Sequence, residues 1–196
     1  MEEEARVEVA GRAEWRVWLA ANHRTAKGVW LVTPKRRTGK PSVPYEEAVE
    51  EALCFGWIDG RFRPVDDDHS MQWFAPRRPK STWARSNKER VERLTAAGLM
   101  TESGLEAVAV ARANGSWTSL DDIDNLVMPE DLATALEARP GARENYEAWT
   151  VSTRRMALAW VTQAKRPATR AGRVEQVAGA AERRERLLDV LTRRDR

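Results

Sequence analysis

Residues 45–76 read YEEAVEEALCFGWIDGRFRPVDDDHSMQWFAP, and where this stretch is divided decides the fold. Its first third has helical period. Tyr45, Ala48, Val49, Ala52 and Leu53 fall on one stripe, with Glu46, Glu47, Glu50 and Glu51 on the other. Pro44 suits the first helical turn, the early glutamates complement the positive end of the helix dipole, and Gly56 can end the helix. From Trp57 the pattern turns strand-like. WIDGRF and SMQWFA flank RPVDDDH, whose proline and acids suit a connection, so the segment predicts an antiparallel hairpin. Alternation along WIDGRF places Trp57, Asp59 and Arg61 on one face, apart from Ile58 and Phe62.

Upstream, the spacing of Trp15, Trp18 and Leu19 predicts an inward-facing helix over about Ala13 to Asn22. GVWLVT predicts a strand covered on both faces, followed by a basic Gly/Pro loop, PKRRTGKPSVP. Downstream of Pro79 a helix is expected, with Ser86 and Glu89 at capping-box spacing, Val91 and Leu94 inward, and Gly98 as its stop. Thr101 begins another that Gly115 closes, and SWTSLDDIDNLVM reads as a polar connection. From Pro129 four helical segments follow: PEDLATALEA, GARENYEAW, STRRMALAWVTQAK and TRAGRVEQVAGAAERRERLLDVL, the last running into a basic end expected to fray. Strands therefore precede helices, with no βαβ alternation and no repeat. The fold class is α+β: a small antiparallel sheet with helices over 1–127, then an all-helical C-terminal module over 128–196 packed on it.

The 196 residues, 42% apolar and 32% charged with nine tryptophans, describe a well-packed soluble chain rather than a disordered one. No stretch approaches the length of a membrane span, and the acidic N-terminus lacks the apolar core of a signal peptide, which makes the cytoplasm the expected location. Cys54, the single cysteine, falls on the apolar side of its helix and reads as a small buried hydrophobe. The net charge of +3 hides segmentation: residues 76–93 carry a balance of +5, and residues 121–147 one of −6.

No metal site is expected, since His23, His69 and Cys54 are too few and too scattered, and the DDD before His69 reads as a solvated turn. Phosphate loops, serine elbows and zinc-protease signatures are absent, and no cofactor is implied. The candidates are Asp59 and Arg61, sharing a face that Trp57 can shield, and the segment FAPRRPKSTWARSNKERVERL with Arg77, Arg78, Trp83 and Asn87. Asp59 and Arg61 read either as a structural ion pair or as a ligand contact. The cations around Trp73, Phe74 and Trp83 read either as a solvated face balanced by the acids of 121–147 or as a single-strand nucleic-acid site, with nucleic acid the less favoured partner. The second cluster, AKRPATRAGR, marks a helix junction at Pro167.

EALCFGWIDG, APRRPKSTWARSNKERVERL and LAWVTQAKRPATRAGRVEQV together resemble the YdeI/OmpD-associated, or bacteriocin-protection, family of bacterial proteins, in order from about Trp15 to Val177. Ala75 stands where similar proteins have threonine. The resemblance implies a link to envelope stress or antimicrobial-peptide tolerance and brings no shared catalytic mechanism. The expected function is a non-enzymatic binding protein with that link, and the residues themselves place an anionic ligand or protein partner at Trp57, Asp59, Arg61, Arg77, Arg78, Trp83 and Asn87. The alternatives are a nucleic-acid binder using residues 73–93 and a small-molecule enzyme with Asp59 as acid or base.

Overall fold

The sheet begins where the sequence carries no periodic signal: Arg6–Glu8 (β1) lies parallel to Val29–Pro34 (β2). Between them runs the helix Arg12–Asn22 (α1). Trp57–Pro64 (β3) and His69–Pro76 (β4) form the expected antiparallel hairpin, β4 also pairs antiparallel with β2, and the strand order is β1-β2-β4-β3. The fold is α+β as expected. Its sheet is mixed rather than wholly antiparallel, and one βαβ step opens it, because three residues reading RVE are too short and too charged for alternation to mark them as a strand.

The computed structural model describes residues 4–192, so the basic end at 193–196 lies outside the described residues. The chain divides into two compact units, Met1–Leu120 and Asp121–Arg196. In the first, Tyr45–Cys54 (α2), Arg85–Ala96 (α3) and Glu102–Ala113 (α4) join α1 around the sheet. Trp15, Leu19, Val29, Leu31, Leu53, Trp57 and Phe74 form the middle of its core, all but excluded from water. Trp15 stacks on Trp18 with centroids 5.3 Å apart, tilts against Phe74 at the same distance, and donates its indole N–H to the Ala48 carbonyl at 3.0 Å.

Two expectations for α2 and α3 change. Tyr45 falls on the apolar stripe of α2, yet it is 52% exposed, while Glu51, on the polar stripe, is 2% exposed. Glu51 lies between two guanidinium groups of α1, accepting from Arg12 Nε and Arg16 Nη1, each at 2.6 Å. Its neighbour Glu50 takes Arg12 at 3.0 Å and Arg93 of α3, and Glu46 takes Arg90 at 2.6 Å. Around Glu50 and Glu51 the acidic face of α2 is thus a seam between helices, while Glu46 keeps most of its side chain in water. The helix α3 starts at Arg85 with Ala84 in the cap position and no side-chain cap, so Ser86 falls inside its first turn and does not cap it. Val91 and Leu94 face inward, and Thr101 caps α4 by accepting from the Gly104 amide, both as the spacing predicts.

The second unit is helical among its described residues: Asp121–Asp124 (α5), Glu130–Glu137 (α6), Ala142–Glu147 (α7), Val151–Thr162 (α8), Pro167–Glu182 (α9) and Leu187–Thr192 (α10). Leu132, Leu136, Tyr146, Leu158, Val161, Val177 and Leu187 make its core, with α9 touching α6, α7, α8 and α10. The connection before Pro129 holds the short helix α5. The last expected helix breaks in two because Arg184 turns left-handed, at φ 54°. No helix of the described residues is long and apolar enough to cross a membrane.

Replacing Glu51 with glutamine leaves two arginines facing a group that cannot neutralise them. The expected loss is about 2 kcal/mol, below the cost for a fully buried pair because both arginines can partly rehydrate. Urea unfolding of Glu51→Gln measures it.

Candidate functional site

The hairpin carries one residue too many on its first strand. Asp59 pairs with Phe74 and Phe62 with Gln72, so Gly60 and Arg61 together stand opposite Trp73. Such a bulge changes the parity of the strand beyond it. Asp59 stays on the helix-covered face with Trp57 and Phe74, while Arg61 joins Trp73 on the other. The expectation that Asp59 and Arg61 share a face is therefore corrected. Arg61 lies 5.4 Å from the ring centre of Trp30 and 5.6 Å from that of Trp73, and pairs with Glu4 at 3.0 Å. Glu4 also accepts from the Trp30 indole at 2.7 Å.

Asp59 has a different partner. The Tyr45 hydroxyl donates to its Oδ2 at 2.8 Å, at the edge of a cavity of about 430 Å³ that Thr33, Phe62, Gln72 and Phe74 also line. Desolvation, and then this bond to a carboxylate, push the Tyr45 phenol up to about 12. Trp57 is buried and donates its indole N–H to the His23 carbonyl at 3.1 Å, so it does not shield an Asp59–Arg61 pair.

A second cleft, of about 450 Å³, opens where the hairpin ends. Its walls are His23 and Arg24 after α1, Phe55 to Trp57 after α2, Pro76 to Pro79 after β4, Trp83, and Ser103 with Ala107 and Val110 on α4. Backbone contact brings these ends together. The Cys54 carbonyl accepts from the amide and hydroxyl of Thr101, at 3.0 and 2.6 Å, which seats the start of α4 on the end of α2. Two glycines permit that approach: a Cβ on Gly104 would lie 2.3 Å from the Cys54 oxygen, and one on Gly56, whose φ is 75°, 2.9 Å from the Ser103 oxygen.

Arg77 is the unusual side chain in this cleft. Its guanidinium carbon lies 3.6 Å from the centre of the Trp83 ring, and Nη2 donates to the Thr82 carbonyl at 2.7 Å. Nε and Nη1 are buried with no hydrogen-bond partner. Desolvation draws the guanidinium down to about 10, opposed only by the charge of Asp59. Arg78 beside it is exposed, Arg24 pairs loosely with Glu102 at 3.4 Å, and Glu106 is the acid in the wall.

Of the residues singled out from the sequence, the cleft gathers Trp57, Arg77, Arg78 and Trp83. Asp59 borders the neighbouring cavity, Arg61 is on the far face of the sheet, and Asn87 is held on α3 by Arg90, whose Nη1 donates to its Oδ1 at 2.8 Å. The rings interleaved with the basic segment are packed rather than offered to bases: Phe74 and Trp83 are buried, and Trp73 abuts Trp30 at 5.2 Å. The acids of 121–147 find cations in their own unit, Asp131 with Arg170 at 2.6 Å and Glu147 with Arg143 at 2.5 Å, while Arg90 and Arg93 pair with α2. No group of three or more metal-ligating side chains occurs among the described residues. Asp66 instead accepts from the Asp68 and His69 amides, each at 2.7 Å, closing the acidic turn on itself.

Sequence reasoning passed over one pair in the cleft. His23 Nδ1 is 2.9 Å from the Leu19 carbonyl and Nε2 is 3.0 Å from the Ser103 hydroxyl. The two residues are 80 positions apart and belong to no spacing motif, so no local signal could have joined them.

Residues 7–107, just over half of the chain, match the family model described as Domain of unknown function (DUF8412). Residues 125–184 match the model described as Bacteriocin-protection, YdeI or OmpD-Associated, the family whose blocks the sequence resembles. No curated protein and no solved structure matches the chain.

Converting Asp59 to asparagine removes the carboxylate that opposes Tyr45 ionisation but not the desolvation. Both tyrosines are held at about 12, Tyr146 by burial, so the folded protein should show little phenolate at about pH 10.5. In Asp59→Asn one phenol should titrate lower, read as phenolate absorbance in the ultraviolet.

Proposed function

The chain belongs to the family described as Domain of unknown function (DUF8412) and carries a YdeI/OmpD-associated domain, and from that premise we propose that it is a binding protein taking an anionic ligand in the cleft of its first unit. The observation that carries the reading is Arg77. Nearly every buried polar group in a folded protein has a partner, and one that lacks it calls for an explanation. Here a guanidinium is fixed by stacking, holds one hydrogen bond, and leaves two nitrogens unsatisfied where no carboxylate reaches them. Arg78 and Arg24 add positive charge to the same walls. An oxyanion held by this guanidinium after a small rearrangement would supply the missing acceptor, and it would favour the charged form that burial now disfavours.

The sign of that effect is specific. Because the folded Arg77 gives up its proton at about 10, below the ordinary arginine range, the unfolded chain binds more protons between those limits. Keeping Arg77 charged therefore works against folding at every pH below about 10, and a bound anion offsets that cost. Within a cell such binding would serve tolerance of antimicrobial peptides, the role to which the words "Bacteriocin-protection" point, or of envelope stress.

Thermal unfolding with inorganic phosphate, and separately with citrate, tests the reading. A ligand at about 100 times its Kd stabilises by about 2.7 kcal/mol, several degrees in Tm for a protein of this size. Arg77→Met should keep or raise the Tm of the free protein and lose the anion shift. An unchanged Tm in the parent with both anions, or an equal shift in the variant, would overturn it.

A further inference from the structure

We propose that the same cleft performs acyl transfer, with Ser103 as nucleophile and His23 as its base, on an ester whose remainder carries a carboxylate or phosphate; the charge of that substrate rests on the anion reading above. A carbonyl oxygen can only accept, so the 2.9 Å contact from His23 Nδ1 to Leu19 puts the proton of the neutral ring on Nδ1. Nε2 is then a bare lone pair, and the Ser103 hydroxyl 3.0 Å away must donate to it. Nucleophile, base and orienting acceptor stand in the sequence a serine needs to be activated, with a backbone carbonyl in the orienting place that a carboxylate often fills.

Four features separate this pair from a hydroxyl and an imidazole that merely brace two helices. Both side chains are only partly buried, and both line the cleft that Arg77 and Arg78 border. Ser103 is the second residue of α4, where the positive end of the helix dipole favours negative charge developing on Oγ. The seating of α4 on α2 through Thr101, Gly104 and Gly56 fixes the serine, and the Phe55 ring packed 5.0 Å from the imidazole centre fixes the base. Phe55, Trp57 and Val110 give the site an apolar side for the uncharged part of a substrate.

In the reaction Ser103 Oγ adds to the ester carbonyl carbon as its proton passes to Nε2. The bond from carbon to the leaving oxygen breaks, and that oxygen takes the proton from Nε2. Water, deprotonated in turn by His23, attacks the acyl carbon, the bond to Oγ breaks, the acid leaves, and Ser103 regains its proton. No oxidant or metal enters the balance.

A neutral alkyl fluorophosphonate examines the dyad without using the arginines: the Oγ–P bond forms, fluoride leaves, and the proton goes to Nε2. Intact-mass and peptide analysis of the full chain should find one adduct, on Ser103. It should be absent in Ser103→Ala and form about 100-fold more slowly in His23→Gln, as loss of a positioned base predicts. Hydrolysis of para-nitrophenyl hemisuccinate should outpace that of para-nitrophenyl acetate. An adduct with no such preference would overturn the anionic substrate while leaving the dyad. Stabilisation by phosphate without any adduct, an adduct elsewhere, or a Ser103 adduct indifferent to His23→Gln would overturn the dyad while leaving anion binding.

Discussion

A carboxylate held between two guanidinium groups, out of reach of water, fixes the first unit. Glu51 is nearly inaccessible, and the α1 arginines that reach it, Arg12 and Arg16, are each about one-third exposed. Burying an ion is costly unless its partners are geometrically right, so this contact tolerates little sliding of α1 against α2. Arg16 extends the constraint, since its Nη2 also donates to the Leu99 carbonyl ahead of α4, at 2.9 Å. The ends of the three helices, and with them His23, Gly56 and Ser103, are set by one ionic seam and the backbone bonds at Cys54.

Several other charges follow the same logic of local neutralisation. Arg90 and Arg93 of the basic segment meet Glu46 and Glu50, Arg61 meets Glu4, and Asp131 meets Arg170. Against that background Arg77 stands out because it has no acid at salt-bridge distance and two nitrogens without partners. Stacking on Trp83 and a single carbonyl hold it in place. Under the proposed anion reading, the incomplete pairing of Arg77 and its cost in stability go with leaving an acceptor's place open.

The bulge at Gly60 and Arg61 makes a comparable choice on the sheet. Without the extra residue, Arg61 would sit on the helix-covered face near Asp59 and could form a closed ion pair there. With it, Arg61 serves the Trp30 and Trp73 rings, and Asp59 is left to the Tyr45 hydroxyl and a distant electrostatic influence on Arg77. The first unit therefore has one carboxylate-lined cavity and one arginine-lined cleft rather than a single mixed site.

Segmentation and fold class are legible in the order of residues alone. Periodicity reports which residues of one element share a face, and that was enough for the α1, β2, α2 and hairpin pattern, the inward Trp15, Leu19, Val91 and Leu94, and the helical run after Pro129. That order also placed Trp57, Arg77, Arg78 and Trp83 close enough in the chain to meet in one cleft. The remainder arises from packing between elements. A bulge alters parity without a periodic trace, so Asp59 and Arg61 could not be separated in advance. A three-residue strand carries too little pattern to be seen, which hid β1. Glu51 looks solvated along its own helix and becomes buried because α1 supplies two cations, and His23 meets Ser103 across 80 positions because two helix ends dock on a third. Contacts between elements depend on how those elements pack, and the order of residues along any one of them does not contain that information.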